Sequence, residues 1–260
     1  MPRLFGMNFQ AVSVGQKLIE NGVPGGYTDN AATPTAAMLD EIEFVDAGIG
    51  EMVTELTNQH LLSSTLIIIT AKHGQSPIDP HQVYKTTANS PAHLLHASLR
   101  PSEDPTGKDI GPTEDDVSLL WLTDSTASLT QSAVTVLENN APADGVGEIF
   151  YGPSLTTMFN APGLPPLDPR TPDIIVQPNV GVIYSTSGKK QAEHGGFAHD
   201  DTNVMLLVSH SGLRTNAVTS AVETTQVAPT VLWALGLDPG SLHAVQAEGT
   251  PVLPGLTFEH

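Results

Sequence analysis

The chain has 260 residues, 39% of them hydrophobic and 15% charged, a composition that builds a globular core and excludes a disordered polyelectrolyte. Ten Lys+Arg face 28 Asp+Glu, for a formal net charge of -18, which leaves no positive face for nucleic acid and repels phosphate substrates unless cations reverse the local sign. There is no cysteine, so disulfide scaffolds, thiolate metal sites and cysteine nucleophiles are all excluded.

No apolar stretch approaches the roughly 18 residues of a membrane span. The start, Met1 to Asn8, lacks the charged and apolar regions of a signal peptide. Residues 34–60 then predict a long amphipathic helix. Met38, Ile42, Val45, Ile49, Met52, Val53 and Leu56 recur mostly at spacings of three or four, and Thr33 or Thr35 is placed to cap it. A strand follows at 64–70, with the apolar run Leu66 to Ile69, and leads to the step Lys72-His73-Gly74. Residues 74–114 are rich in Pro, His, Ser and Gly without periodicity, and read as a cap-like excursion.

Further strands are predicted at 117–122, 148–151, 173–178 and 180–184, and helices at 125–138 and 225–237. A second His-Gly step, Glu193-His194-Gly195-Gly196, precedes a core strand at 203–209; residues 240–260 read as a loosely packed tail. Strands alternating with helices predict an α/β fold with a largely parallel central sheet. The whole of 1–260 reads as one domain carrying the 74–114 excursion.

The two His-Gly steps carry the chemistry. In open α/β sheets, ligands collect in loops at strand ends, and neutral imidazole suits Zn, Mn or Fe. His73 and His194 are the candidate metal ligands. Asp29, Glu193, Asp200 and Asp201 are candidate carboxylates, with His199 a supporting histidine. Lys72 is a candidate contact for a phosphate oxygen. Neither a phosphate-binding glycine loop nor a Gly-x-Ser-x-Gly elbow is present.

Four segments together resemble the type I phosphodiesterase/nucleotide pyrophosphatase family, within the alkaline-phosphatase-like superfamily. They are Glu43 to Gly50, the strand with His73-Gly74, the His194-Gly195 loop with its strand, and Thr224 to Thr230 with Leu235-Gly236-Leu237. The resemblance is to the C-terminal portion of that family. It implies a central sheet flanked by helices, divalent metal ions (zinc by preference) and hydrolysis of small-molecule phosphate esters. It also implies a Thr or Ser nucleophile. His73, His194 and Asp29 carry over as metal ligands.

The departures are specific. No segment matches the family's nucleophile region, so the N-terminal part of the fold is expected to be missing and this chain to be either a fragment of a longer parent or a divergent branch of the family; the compartment stays open, with a secreted or periplasmic parent as one expectation. Lys72 stands where the family has an Asp, and Thr33 where it has a His. A non-catalytic α/β binding module, or a sulfatase-like or phosphonate-hydrolase-like enzyme, is the competing expectation.

Overall fold

The computed structural model describes residues 3–86, 89–100, 111–159 and 170–257. In chain order the elements are α1 (Ala11–Lys17), β1 (Ile19–Glu20), β2 (Val23–Pro24), α2 (Ala36–Asn58), β3 (Ile67–Thr70), β4 (Tyr84–Lys85), α3 (Pro91–Leu95), β5 (Thr113–Glu114) and β6 (Ser118–Leu120). They continue with α4 (Ala127–Asp144), β7 (Val146–Tyr151), α5 (Pro153–Phe159), β8 (Ile174–Pro178), β9 (Val182–Ile183), α6 (His199–Thr202), β10 (Leu206–Ser209), α7 (Val227–Ala234) and α8 (His243–Glu248). The chain divides into two compact units. One comprises Met1–Gln10, Glu43–Lys72 and Val204–His260; the other comprises Ala11–Ile42 and His73–Asn203.

The second unit is built on a four-stranded sheet in the order β5-β6-β8-β7. Every pairing in it is antiparallel, with Leu120 opposite Ile174 in one ladder and Tyr151 opposite Ile174 in the other. On one face Leu95, Leu120, Leu122, Val134, Leu137, Ile174 and Val176 form the main core under α3 and α4. On the other face Val117, Leu155 and Ile175 form a smaller cluster with Phe150. Burial of each such large apolar side chain contributes roughly 1.5–3 kcal/mol.

The expected α/β architecture is present, but the expected parallel direction is not. Among the described residues only β4 and β9 pair in parallel. The apolar run Ile174 to Val176 arises because both faces of the sheet are covered. Burial on both faces produces the same sequence signature whichever way the strands run.

In the first unit β3 pairs antiparallel with β10, from Ile67 opposite Ser209 to Thr70 opposite Leu206. This two-stranded sheet takes no further strand among the described residues. The expected core strand at 203–209 is only half-buried, and Leu207 and Met205 are exposed.

The long helix forms as its periodicity predicts. Thr35 caps it, its hydroxyl accepting the Met38 N–H at 3.1 Å; such a cap contributes about 1 kcal/mol. Met38 is fully buried, whereas Leu39, Ile42 and Phe44 are exposed. The 225–237 helix is realised as α7, with Gly236 beyond it in a left-handed turn at φ 70°. The tail forms α8 rather than staying irregular. The excursion holds β4, α3, β5 and short 3-10 turns; residues 87, 88 and 101–110 of it lie outside the described residues.

The 125–138 helix extends to Asp144, past Asn139, Asn140 and Pro142. Those residues read as stop signals, yet Ala141 packs on the core and Gly145 ends the helix at φ 66°. The extension has a cost. Asp144 is fully enclosed, both carboxyl oxygens lack a hydrogen-bond partner among the described residues, and burial pushes its pKa up to about 6. The negative end of the helix dipole also disfavours its ionised form.

A carboxyl raised on folding stabilises when protonated, and that contribution is lost as pH rises from the ordinary carboxylate range through about 6. Asp144→Asn is therefore expected to stabilise the fold by about 1–3 kcal/mol above that window. The gain should vanish below the ordinary carboxylate pKa. Urea unfolding on either side of the window checks both halves.

Candidate metal centre between two His-Gly loops

The two His-Gly steps meet because their loops pair. Ser76 and Glu193 form an isolated antiparallel bridge, each N–H donating to the other's carbonyl at 2.9 Å. The bridge brings the rings of His73 and His194 together at 4.5 Å between centroids, edge to face. The His73 Nδ1–H donates to the Gly74 carbonyl at 2.9 Å. A carbonyl can only accept, so a neutral His73 keeps its free lone pair on Nε2.

Each glycine has its own reason. Gly74 donates its N–H to the Asp201 carbonyl at 2.6 Å, and a Cβ on it would lie 1.9 Å from the Asp200 carbonyl oxygen. The room a side chain would need at Gly74 is filled by backbone. Gly195 has φ 106°, which side chains rarely adopt. Gly196 donates to the Asp116 carboxylate at 2.9 Å, so the second loop is tied down at the next residue.

Around His194 stand two carboxylates. Asp115, Glu193 and His194 each offer one ligand atom, and these atoms all lie within 4.8 Å of one another. Glu193 is 1% exposed. One of its oxygens is paired with the Lys190 ammonium, and Oε2 has no hydrogen-bond partner among the described residues. The Asp115 carboxylate is 3.8 Å from His194 Nδ1, too far for a hydrogen bond. Burial, and then the charge of Glu193, push the Asp115 carboxyl above its ordinary range; His194 works the other way.

Behind this group lies a second acidic set. The Ser76 hydroxyl is 2.9 Å from an Asp116 oxygen and 3.1 Å from an Asp201 oxygen, and all three residues are buried. Burial, followed by Asp116, raises the Asp201 carboxyl. A small cleft of about 80 Å³ opens beside it, lined in part by Ser76, Asp116, Gln177 and Asp200. That volume is below the roughly 300 Å³ of a small-molecule pocket.

The candidates from sequence separate accordingly. His73, His194 and Glu193 come together. Asp29 lies outside the group: its Oδ1 accepts the Ala31 and Thr33 N–H groups at 2.9 and 3.1 Å, closing its own turn. Those bonds hold its carboxyl below the ordinary range. Asp200 accepts the Ile78 N–H at 3.0 Å, and Asp201 holds Ser76 and the first loop. His199 is exposed, 3.6 Å from Asp200. Lys72 is exposed. Asp115 went unmarked in the sequence reading, its only signal being the acidic run Glu114-Asp115-Asp116 just before a strand.

Murine ectonucleotide pyrophosphatase/phosphodiesterase 5 superposes with a TM-score of 0.53 at 15% identity, covering 81% of this chain and 51% of its own. The human protein gives a TM-score of 0.52 at 14% identity, covering 87% of this chain and 58% of its own. An inactive variant of the murine protein, in complex with AMP, gives 0.53 at 15%, covering 81% and 51%. The chain thus spans between about half and three-fifths of the length of these structures. The likeness establishes the alkaline-phosphatase-like fold. No curated protein sequence matches the chain. Residues 25–202, more than half of its length, match the type I phosphodiesterase/nucleotide pyrophosphatase family, and the chain belongs to that family.

Proposed function

We propose that this chain provides the metal-binding half of a phosphoric-ester hydrolase, acting on a phosphodiester or nucleotide-like small molecule. The observation that supports it best is the contact of His73 with His194, made by two loops that the Ser76–Glu193 bridge holds together. The donor set near them, imidazole and carboxylate, fits a divalent ion such as zinc. The family resemblance implies His73 and His194 as its ligands, and of the two His194 is the one with carboxylates in reach; Asp29, engaged in its own turn, adds no support from geometry. The ion would supply positive charge against the ester phosphate, which a chain of net charge -18 otherwise repels.

Within the protein, the Ser76–Glu193 bridge fixes the spacing of the two imidazoles. The Gly74 carbonyl selects the His73 tautomer that leaves Nε2 basic. Lys72, exposed and next to His73 in the chain, would be the residue to meet a phosphate oxygen. The nucleophile is proposed to lie outside this chain, which alone would turn over slowly.

The test is hydrolysis of bis-p-nitrophenyl phosphate together with metal content, for this chain and for the longest product of its gene. The longer product should bind metal and hydrolyse the diester, and His194→Ala should reduce both by about 100-fold. Turnover of sulfate esters in place of phosphodiesters would replace this reading with the sulfatase-like one. AMP binding without turnover in either product would replace it with a binding module.

A further inference from the structure

The carboxylates at the site are not the ones that the family resemblance implies. We propose that one divalent cation is held by Asp115, Glu193 and His194, and that Lys190 competes with it for Glu193. The inference rests on the hydrolase reading for its location but not for its ligands.

Three observations carry it. First, the three ligand atoms lie within 4.8 Å of one another. Ligands sharing a tetrahedral ion at about 2.0–2.2 Å stand roughly 3.4 Å apart, so a small rotation of the side chains closes the site. The 3.8 Å between Asp115 and His194 Nδ1 is already near that span.

Second, Glu193 is buried to 1% exposure, and its Oε2 has no partner among the described residues. A carboxylate oxygen out of water without a partner costs several kcal/mol. A cation beside it removes that cost and also the repulsion between Asp115 and Glu193.

Third, the backbone is fixed around every ligand. Glu193 is bridged to Ser76. The Asp115 carbonyl accepts the Tyr184 N–H at 2.7 Å. Gly196, two residues past His194, is tied to Asp116. A site held in this way loses little conformational freedom on binding.

Lys190 sits three residues before Glu193, with its ammonium on the other Glu193 oxygen. A lysine at that carboxylate is a built-in competitor: an incoming cation shares Glu193 with it or displaces it. Lys190 is itself bridged through its backbone to Leu18, so only its side chain needs to move. The imidazole and two carboxylates suit Zn²⁺ and Mn²⁺.

The experiment is calorimetric titration of the purified chain with Zn²⁺, and separately with Mn²⁺, alongside X-ray absorption of the zinc form. Thermal unfolding of each variant verifies that it folds. The wild type should bind one ion through one imidazole and oxygen donors. Asp115→Asn and Glu193→Gln, both close in shape, should each weaken binding about 10-fold or more. Lys190→Met should tighten it several-fold.

Binding unchanged in Asp115→Asn and Glu193→Gln overturns the site. So does zinc bound through two imidazoles and lost in His73→Ala, although the hydrolase reading then survives. Lys190→Met weakening the binding overturns the competition. Binding that follows Asp115 and Glu193 while neither gene product hydrolyses any phosphate ester keeps this site and removes the hydrolase reading.

Discussion

Gly74→Ala is expected to destabilise the fold by about 2–4 kcal/mol and to abolish joint action of the two histidine loops. The new Cβ would lie 1.9 Å from the Asp200 carbonyl oxygen and 3.0 Å from its carbon. These are backbone atoms at the start of α6, so no flexible side chain can turn aside. Overpacking of this kind costs about 1–3 kcal/mol. The displaced loop also gives up the Gly74 N–H bond to Asp201, about 1 kcal/mol more.

The damage propagates two residues on to Ser76, whose bridge to Glu193 sets the spacing of His73 and His194. Urea unfolding measures the first effect and zinc titration the second. Gly50→Ala is the control. Gly50 lies in α2 with open space around it, and alanine there should stabilise by up to about 1 kcal/mol. Equal losses at both positions would refute the steric account.

The second large effect is expected at Asp116. Asp116→Ala removes the acceptor of the Gly196 N–H and one partner of Ser76, both buried. A buried donor left without its acceptor costs about 1–3 kcal/mol. The chemistry of the cluster is constrained by one hydrogen atom. The Ser76 hydroxyl lies between two carboxyl groups and can donate to only one of them. The other must carry a proton, and burial favours Asp201 for that role.

A group that binds its proton more tightly when folded stabilises at low pH. Stability should therefore fall as pH rises above the ordinary carboxylate range, by up to about 1.4 kcal/mol per pH unit, until Asp201 ionises in the folded state. Asp201→Asn should flatten that slope and preserve the contact with Ser76. An unchanged slope in the Asn variant would show that the proton resides elsewhere.

How far the sequence led can be judged from particular residues. The helix over α2 and the strand β8 were legible because their apolar spacing is strong and local. Strand direction was not, because the covering of both sheet faces hides it. The last turns of α4 were missed because Pro142 and two asparagines outweigh, locally, the distant core on which Ala141 packs.

At the candidate site, the proximity of His73, His194 and Glu193 follows from short motifs that are legible beside strands. Asp29 carries over only through resemblance, and its carboxylate closes its own turn. Asp115 was not legible: nothing in its neighbours announces that the turn between β5 and β6 sets it beside Glu193 and His194. The role of Lys190 depends likewise on a fold in which three residues of spacing put its ammonium against a buried acid.

The Ser76–Glu193 bridge also sets a schedule for biogenesis. Its partners stand roughly 120 residues apart, and closing a loop of that length costs about 4 kcal/mol in chain entropy. A ribosome must have released nearly the whole second unit before the two histidine loops can meet. Until then His73 waits on a nascent chain with no counterpart, so the centre assembles late, and contacts of such high sequence separation are slow to form. An ion gripping the finished loops, as proposed, would act as a staple across that long closure, and metal supply during synthesis would then bear on folding yield.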